Sequence, residues 1–147
     1  MRARQLIVTG AAALLLVGCG STTLSSKQLR TRATSMCTVA ARKAGNIPTP
    51  TDPAGGAGFL RRGVAALSPE VAALKRLKPP SDVADVYENS VKGLEQQLSL
   101  VSATIQHLRR GQDPVVAMKT LQQRLSPIEA GVDGGWRTLG IPACISL

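Results

Sequence analysis

The sequence predicts an all-α fold, an antiparallel up-down four-helix bundle with kinked helices that is stapled by one disulfide. Apolar residues recur at alternating steps of three and four over long stretches, which is the period of one helix face. No stretch alternates apolar and polar residues as a half-buried strand would. Short runs rich in proline and glycine separate the apolar stretches, so consecutive helices should be antiparallel and joined by short loops.

The first helix is expected over residues 27–44. Its apolar residues are spaced by four, three and four positions: Leu29, Ala33, Met36 and Ala40. Ser25 or Ser26 can cap its start, because a serine side chain accepts a hydrogen bond from a free N–H of the first turn. Three prolines within residues 47–53 then exclude a helix and predict an extended connection.

The second helix is expected over residues 56–78 and has a proline near its middle. Pro69 leaves two interpretations open, because Ser68 could cap a second short helix or one helix could continue with a kink. The apolar seam passes the proline without interruption, which favours the kinked continuous helix. This seam comprises Leu60, Val64, Leu67, Val71, Leu74 and Leu77.

The third helix is expected over residues 82–110, with Ser81 or Asp82 as its cap. Its apolar seam alternates steps of four and three, close to the 3.5-residue repeat of a left-handed bundle. The seam comprises Val83, Tyr87, Val91, Leu94, Leu98, Val101, Ile105 and Leu108.

The fourth helix is expected over residues 114–139. Asp113 suits the cap and Pro114 the first helical position, where a missing N–H does no harm. Pro127 predicts a second kink, and Gly140 should end the helix. The seam comprises Met118, Leu121, Leu125, Ile128, Val132, Trp136 and Leu139.

The first nineteen residues resemble a bacterial lipoprotein signal. A start containing two arginines precedes a twelve-residue apolar run, which leads into the lipobox-like Leu16-Val17-Gly18-Cys19. The resemblance implies that residues 1–18 are a signal peptide and that the Cys19 sulfur carries a diacylglyceryl group with palmitate-type chains. It also implies a lipid-anchored protein on the extracytoplasmic face of a cell membrane.

The predicted mature chain has a lipidated flexible tether over residues 19–26 and a helical bundle domain over residues 27–147. One alternative is an ordinary signal peptide that is cut elsewhere and followed by a chance cysteine. A second alternative is a transmembrane anchor, but the apolar run is far shorter than the roughly 20 residues that a spanning helix needs.

Cys37 and Cys144 remain as an even pair in an oxidising compartment if Cys19 is lipidated. We expect them to form a disulfide whose loop of about 108 residues is worth at most about 4–5 kcal/mol in the chain-entropy model. Two buried free thiols are the alternative. For the bridge to form, the tail after Gly140 should fold back along the first helix, or the fourth helix should end early.

The charge of the chain favours anionic partners. Without residues 1–18, 16 lysines and arginines stand against nine acids, a net charge of +7. Such a balance suits lipid headgroups or anionic envelope polymers. Nucleic acid is not an expected partner, because the compartment is extracytoplasmic and Phe59, Tyr87 and Trp136 are the only aromatic residues that could stack on bases.

Basic residues gather at the ends of the predicted helices. Lys75, Arg76 and Lys78 should face the headgroups beside the lipid anchor, where each charge contributes about 1 kcal/mol on an anionic surface. Arg109 and Arg110 should lie at the opposite pole. Complementation of the helix dipoles, with ordinary solvation, is the alternative interpretation of all these residues.

The sequence predicts no catalytic constellation, no cofactor and no metal site, and an enzyme is not expected. His107, the single histidine, lies beside the seam of the third helix and is most simply a solvated residue. A haem or metal site would need a second ligand, for which Met118 is the nearest candidate. The serines lack a G-x-S-x-G elbow, and glycine-rich residues 54–58 lack the lysine of a P-loop.

Three functions remain open on this basis. The first is a non-enzymatic binding or structural module at the cell envelope, with an envelope protein or an anionic polymer as partner. The second is a carrier or sensor of an apolar small ligand held between the helices that Pro69 and Pro127 kink. The third is a haem or metal binder that uses His107.

The mature part also resembles a group of small, uncharacterised, secreted or lipid-anchored helical proteins of actinobacterial type. The similarity rests on Cys37 in the first helix, on the Leu74…Leu77-Lys78-Pro79-Pro80 segment, and on Trp136-Arg137-Thr138-Leu139-Gly140 followed by Cys144. The resemblance implies the bundle and the disulfide, and it implies no particular activity.

Overall fold

A computed structural model describes residues 23–145 and 147 of the chain. This part is all-helical, with four α-helices and two short 3-10 turns and without a strand. Each α-helix lies within three residues of its predicted bounds. The α-helices are α1 (Ser26–Gly45), α2 (Gly56–Lys75), α3 (Ala84–Arg109) and α4 (Pro114–Leu139), and the 3-10 turns are Pro53–Gly55 and Pro142–Cys144.

Two of the predicted helix starts are confirmed in detail. The Ser25 hydroxyl accepts the Gln28 N–H at 3.3 Å, and the Gln28 side chain accepts the Ser25 N–H at 2.9 Å, which is a complete capping box. At α4, the Asp113 carboxylate accepts the Val116 N–H at 2.9 Å, and Pro114 occupies the first turn. Both helices therefore begin where free N–H groups find a side-chain partner.

The predicted cap of α3 is wrong. Neither Ser81 nor Asp82 caps the helix, because Val83 occupies the N-cap position and makes no side-chain hydrogen bond there. The Val83 N–H instead donates to the Pro80 carbonyl at 3.2 Å, which closes a turn directly after the two prolines. This turn uses residues 81–83, so the helix begins only at Ala84.

Pro69 and Pro127 both lie inside uninterrupted helices, as the continuous seams predict. Each is preceded by a serine whose hydroxyl donates to the carbonyl four residues earlier. The Ser68 hydroxyl bonds the Val64 carbonyl at 2.7 Å, and that of Ser126 bonds the Gln122 carbonyl at 3.1 Å. A serine bond of this kind is common where a helix bends, next to the carbonyl that proline leaves without an N–H partner.

The core divides into two clusters. The larger one draws on all four helices and on the chain after α4, whereas the smaller one joins only α2, α3 and α4 around Leu60, Ile105 and Leu121. The first helix therefore covers one end of the structure. The buried residues of the larger cluster are Leu24, Leu29, Ala33, Cys37, Val71, Leu74, Tyr87, Val91, Leu94, Val132, Trp136, Leu139, Ile141 and Cys144.

The predicted disulfide between Cys37 and Cys144 is confirmed, with Cα atoms 5.0 Å apart and both residues fully buried. It joins α1 to the second 3-10 turn. Gly140 makes this possible by adopting a left-handed conformation at φ +68°, which ends α4 and turns the chain back. The tail thus folds against the first helix, as the position of the cysteines requires.

Tyr87 and Trp136 fill the centre of the larger cluster. Their rings meet edge to face at a centroid distance of 5.7 Å, and both side chains are almost completely buried. The Tyr87 hydroxyl donates to the Leu74 carbonyl at 2.8 Å and so connects α3 to the last turn of α2. Burial raises the pKa of Tyr87 far above its ordinary value, because the phenolate would lose its hydration.

Helices α3 and α4 approach closely at two glycines. A Cβ atom on Gly93 would collide with the Val132 side chain, and one on Gly135 would collide with the Ser90 side chain. Both collisions involve atoms of the opposite helix. Gly131, on α4, has open space where its Cβ would lie.

We predict that Gly93→Ala lowers the free energy of unfolding by about 1–2 kcal/mol, because overpacking outweighs the gain in helix propensity. Urea unfolding followed by circular dichroism measures the change. Gly131→Ala is the matched control and should raise stability by up to about 1 kcal/mol. Equal effects of the two substitutions would contradict the close approach of α3 and α4.

We predict that Tyr87→Phe lowers stability by about 1–2 kcal/mol near neutral pH, because the Leu74 carbonyl loses a buried partner. The folded protein holds the phenol proton more tightly than the unfolded chain does. The contribution of Tyr87 is therefore complete below about pH 10, the ordinary tyrosine pKa, and falls as the pH rises above it.

Urea unfolding at neutral pH and near pH 11 tests this, with Tyr87→Phe serving as the control for every other titrating group. The difference between wild type and variant should shrink at the higher pH. Tyr87 is the single tyrosine of the chain, so tyrosinate absorbance reports its ionisation directly. If Tyr87 ionises near pH 10 in the folded protein, its hydroxyl is not buried.

Candidate functional site

The chain before α1 is attached to the end of α2. The Leu24 N–H donates to the Lys78 carbonyl at 2.9 Å, and the Leu24 side chain is buried in the larger core cluster. The part of the predicted tether that the structure describes therefore packs on the bundle from Leu24 onward. Cys19, the predicted lipid attachment site, lies outside the described residues.

The position of Leu24 limits how far a lipid on Cys19 could lie from the basic end of α2. Leu24 follows Cys19 by five positions in the sequence, a distance that an extended chain spans in at most about 18 Å. A lipid on Cys19 would thus hold Lys78 close to a membrane surface. None of the helices in residues 23–145 combines the length and the apolar character that crossing a bilayer requires.

The three basic residues predicted for anionic contact differ in their surroundings. The Lys75 ammonium lies 2.7 Å from the Glu95 carboxylate, so its charge is already matched within the protein. Arg76 and Lys78 are exposed and take part in no ion pair among the described residues. Two of the three cations, Arg76 and Lys78, therefore remain uncompensated at the end of α2, to which Leu24 is bonded.

The C-terminal end of α3, where the chain turns into α4, carries a different surface from the end of α2. Arg109 and Arg110 are exposed there, before the loop that leads into α4. The large apolar side chains that are exposed in the described part all lie in the first turns of α4, at Val115, Val116 and Met118. This end thus combines cations with apolar surface, but no contact shows what covers it.

An apolar cavity of about 100 Å³ lies between the two core clusters. Ligand sites in proteins usually measure roughly 300–1,000 Å³, so this space is smaller than a typical ligand requires. It gives no specific support to the apolar-ligand hypothesis, which remains a prediction. Its lining includes Ala40, Leu67, Val71, Leu74, Leu94, Leu98, Val101, Leu125 and Leu147, with Glu70, Gln97 and Glu129 among the polar members.

His107 is exposed and lines a cleft of about 220 Å³ together with Gln112, Thr120 and Arg124. Met118 is not among the residues of this cleft. Among the described residues, no three histidine, cysteine, aspartate or glutamate side chains converge to hold a metal ion. The haem or metal hypothesis therefore remains a prediction that rests on His107, and Met118, its candidate second ligand, lies outside the His107 cleft.

Sequence patterns missed two parts of this site. Leu24 belongs to a segment of serine, threonine and glycine that predicts a flexible linker, although one large apolar residue in such a segment is a signal of burial. The Lys75–Glu95 ion pair joins residues 20 positions apart on two helices, which helical periodicity alone does not bring together.

Comparison with known proteins adds no relative to this description. No protein-family model matches the chain, and no curated protein or solved structure is detectably similar to it. The two resemblances drawn from short motifs, to lipoprotein signals and to small actinobacterial-type helical proteins, remain predictions.

Proposed function

We propose that this chain is a lipoprotein, anchored through a diacylglyceryl group on Cys19 at the extracytoplasmic face of a bacterial cell membrane. Its helical domain acts there as a non-enzymatic binding or structural module for an envelope protein or an anionic polymer. Arg76 and Lys78 contact the anionic membrane surface, with Lys75 contributing less because Glu95 already neutralises it.

The observation that carries the proposal is the hydrogen bond between the Leu24 N–H and the Lys78 carbonyl. Through this contact, the basic end of α2 lies beside Leu24, which follows the lipobox-like motif by only five positions in the sequence. A lipid chain with an adjacent basic patch is a combination that holds proteins stably at membranes, whereas a single short acyl chain binds only weakly.

The disulfide between Cys37 and Cys144 supports the compartment. Structural disulfides persist outside the reducing cytoplasm, and they are frequent in small extracytoplasmic domains. The disulfide thus supports the proposal that the bundle lies on the extracytoplasmic side of the membrane, where a lipid on Cys19 would also be.

We also propose that the four helices run alternately up and down, with kinks at Pro69 and Pro127. The contacts of α3 and α4 support this arrangement, because Ser90 and Gly93 near the start of α3 meet residues near the end of α4. Likewise, Tyr87 near the start of α3 bonds the Leu74 carbonyl near the end of α2. Antiparallel neighbours joined by short loops produce both contacts.

Intact-mass spectrometry of the protein from its native membrane tests the anchor. We predict a mature chain that begins at Cys19 and carries a diacylglyceryl group. The Cys19→Ala variant should carry no lipid and should not be cut before residue 19, because the modified sulfur is what the processing enzymes require in the family that the motif resembles.

The paired variant Cys37→Ala/Cys144→Ala is the control, and its lipidation at Cys19 should persist. An unmodified mature N-terminus at any other residue would end the lipoprotein proposal. Lipid found on Cys37 or Cys144 would contradict it equally, because those sulfurs are joined to each other.

Sedimentation with vesicles tests the surface contact, using the chain from residue 20 onward without lipid. We predict that Arg76→Gln/Lys78→Gln weakens binding to vesicles rich in phosphatidylglycerol by roughly 30-fold, from about 1 kcal/mol per charge. The binding should fall as salt is added.

The matched control is Arg109→Gln/Arg110→Gln, which removes two positive charges at the C-terminal end of α3, away from the end of α2. It should change binding much less. If both pairs weaken binding equally, net charge alone governs the contact. Vesicle binding that ignores salt and anionic lipid content would refute the role of the basic end.

A further inference from the structure

A groove of about 420 Å³ runs between the end of α2 and the first half of α3. Four of its residues are apolar or aromatic and lie inward, at Leu77, Pro79, Tyr87 and Val91. The remaining lining residues are charged: Lys75, Lys78, Glu88, Lys92 and Glu95. The groove therefore has an apolar floor and a charged rim, and its size lies in the range of ligand sites.

The rim leaves one uncompensated positive charge. Lys75 and Glu95 neutralise each other at 2.7 Å, which leaves Lys78 and Lys92 against Glu88. In the described part of the chain, none of these three residues forms an ion pair within 4.0 Å. Their charges are thus available to a ligand, and the balance suits a group with a single negative charge.

The groove lies at the end of the molecule where the chain leaves the bundle. Lys78 belongs to the groove, and its carbonyl accepts the hydrogen bond from Leu24. If Cys19 is lipidated, as proposed above, the groove is held within a short distance of the headgroups. The inference that follows rests on that anchoring.

We infer that this groove binds the phosphodiester headgroup of a phospholipid from the membrane in which the protein is anchored. Lys78 and Lys92 bind the phosphate, whose single negative charge matches the rim. Leu77, Pro79 and Val91 contact the glycerol and the first methylenes of the lipid. The groove thereby fixes the orientation of the bundle on the bilayer, which a flexible lipid anchor alone does not.

Native mass spectrometry of the intact protein in non-ionic detergent micelles, with added phosphatidylglycerol, tests the inference. One phosphatidylglycerol should remain bound to each chain. Lys78→Gln/Lys92→Gln should reduce this binding at least about tenfold, because charge-assisted hydrogen bonds to the phosphate are lost. Both lysines are exposed, and circular dichroism checks that the variant keeps its fold.

The matched control is Arg110→Gln/Lys119→Gln, which removes two exposed cations elsewhere and should alter binding by less than about twofold. If both double variants lose phosphatidylglycerol binding equally, or if neither loses any, the groove is not the binding site. Glycerophosphoglycerol, the same headgroup without acyl chains, forms a further arm. If this soluble compound binds as tightly as phosphatidylglycerol, the groove is a site for a free phosphodiester, and the proposal that it binds a membrane lipid is wrong.

Failure of the groove and failure of the anchor are distinguishable in this experiment. The same spectra report the mass of the chain, and therefore whether Cys19 carries lipid. Added phosphatidylglycerol can occupy the groove in either case. A lipidated chain that retains no phosphatidylglycerol refutes the groove alone, whereas an unlipidated chain refutes the anchor on which the orientation depends.

Discussion

The Cys37–Cys144 bridge is the constraint on which the position of the first helix depends. The buried residues of α1 are Leu29, Ala33, Cys37 and Ala40, so Leu29 is its one fully buried large side chain, and Met36 packs against the core only in part. Small side chains bury little apolar area and contribute correspondingly little to stability. The covalent link removes up to about 4–5 kcal/mol of chain entropy from the unfolded state and compensates for this weak interface.

The other three helices need no such link. They contribute large apolar residues to both core clusters, and α3 approaches α4 closely enough at Gly93 to exclude a Cβ atom. Two of these helices, α2 at its end and α3 in its first half, also line the groove in which we propose that a phospholipid headgroup binds. The first helix differs from them, because it contributes to the larger core cluster only and is joined by the disulfide to the segment after α4.

Helical periodicity predicted the four helices well, because each has an apolar seam long enough to identify its buried face. The disulfide followed from counting cysteines, and the α4 start followed from Asp113 and Pro114. What periodicity missed depends on contacts between distant segments. The turn after Pro80 delays α3, and the burial of Leu24 becomes evident only when α2 lies beside it.

The candidate site was predicted less completely for the same reason. Lys75, Arg76 and Lys78 appear equivalent in the sequence, yet α3 brings Glu95 to the first of them. It also brings Lys92 to the groove that Lys78 borders, although Lys92 lies mid-helix, where no end-of-helix pattern draws attention to it. Charge clusters can be found along a chain, but their compensation is a property of packing.

The disulfide also determines how the domain responds to proteolytic cleavage. Its two cysteines are 107 positions apart, and every connection between the four helices lies inside the loop that they close. After a single cut in any of those connections, the C-terminal fragment stays covalently joined to α1 through the bridge. If the N-terminus is fixed to a surface as proposed, the whole loop is released by one cut before Cys37. One cut in a helix connection releases the part after it only when the bridge is also reduced.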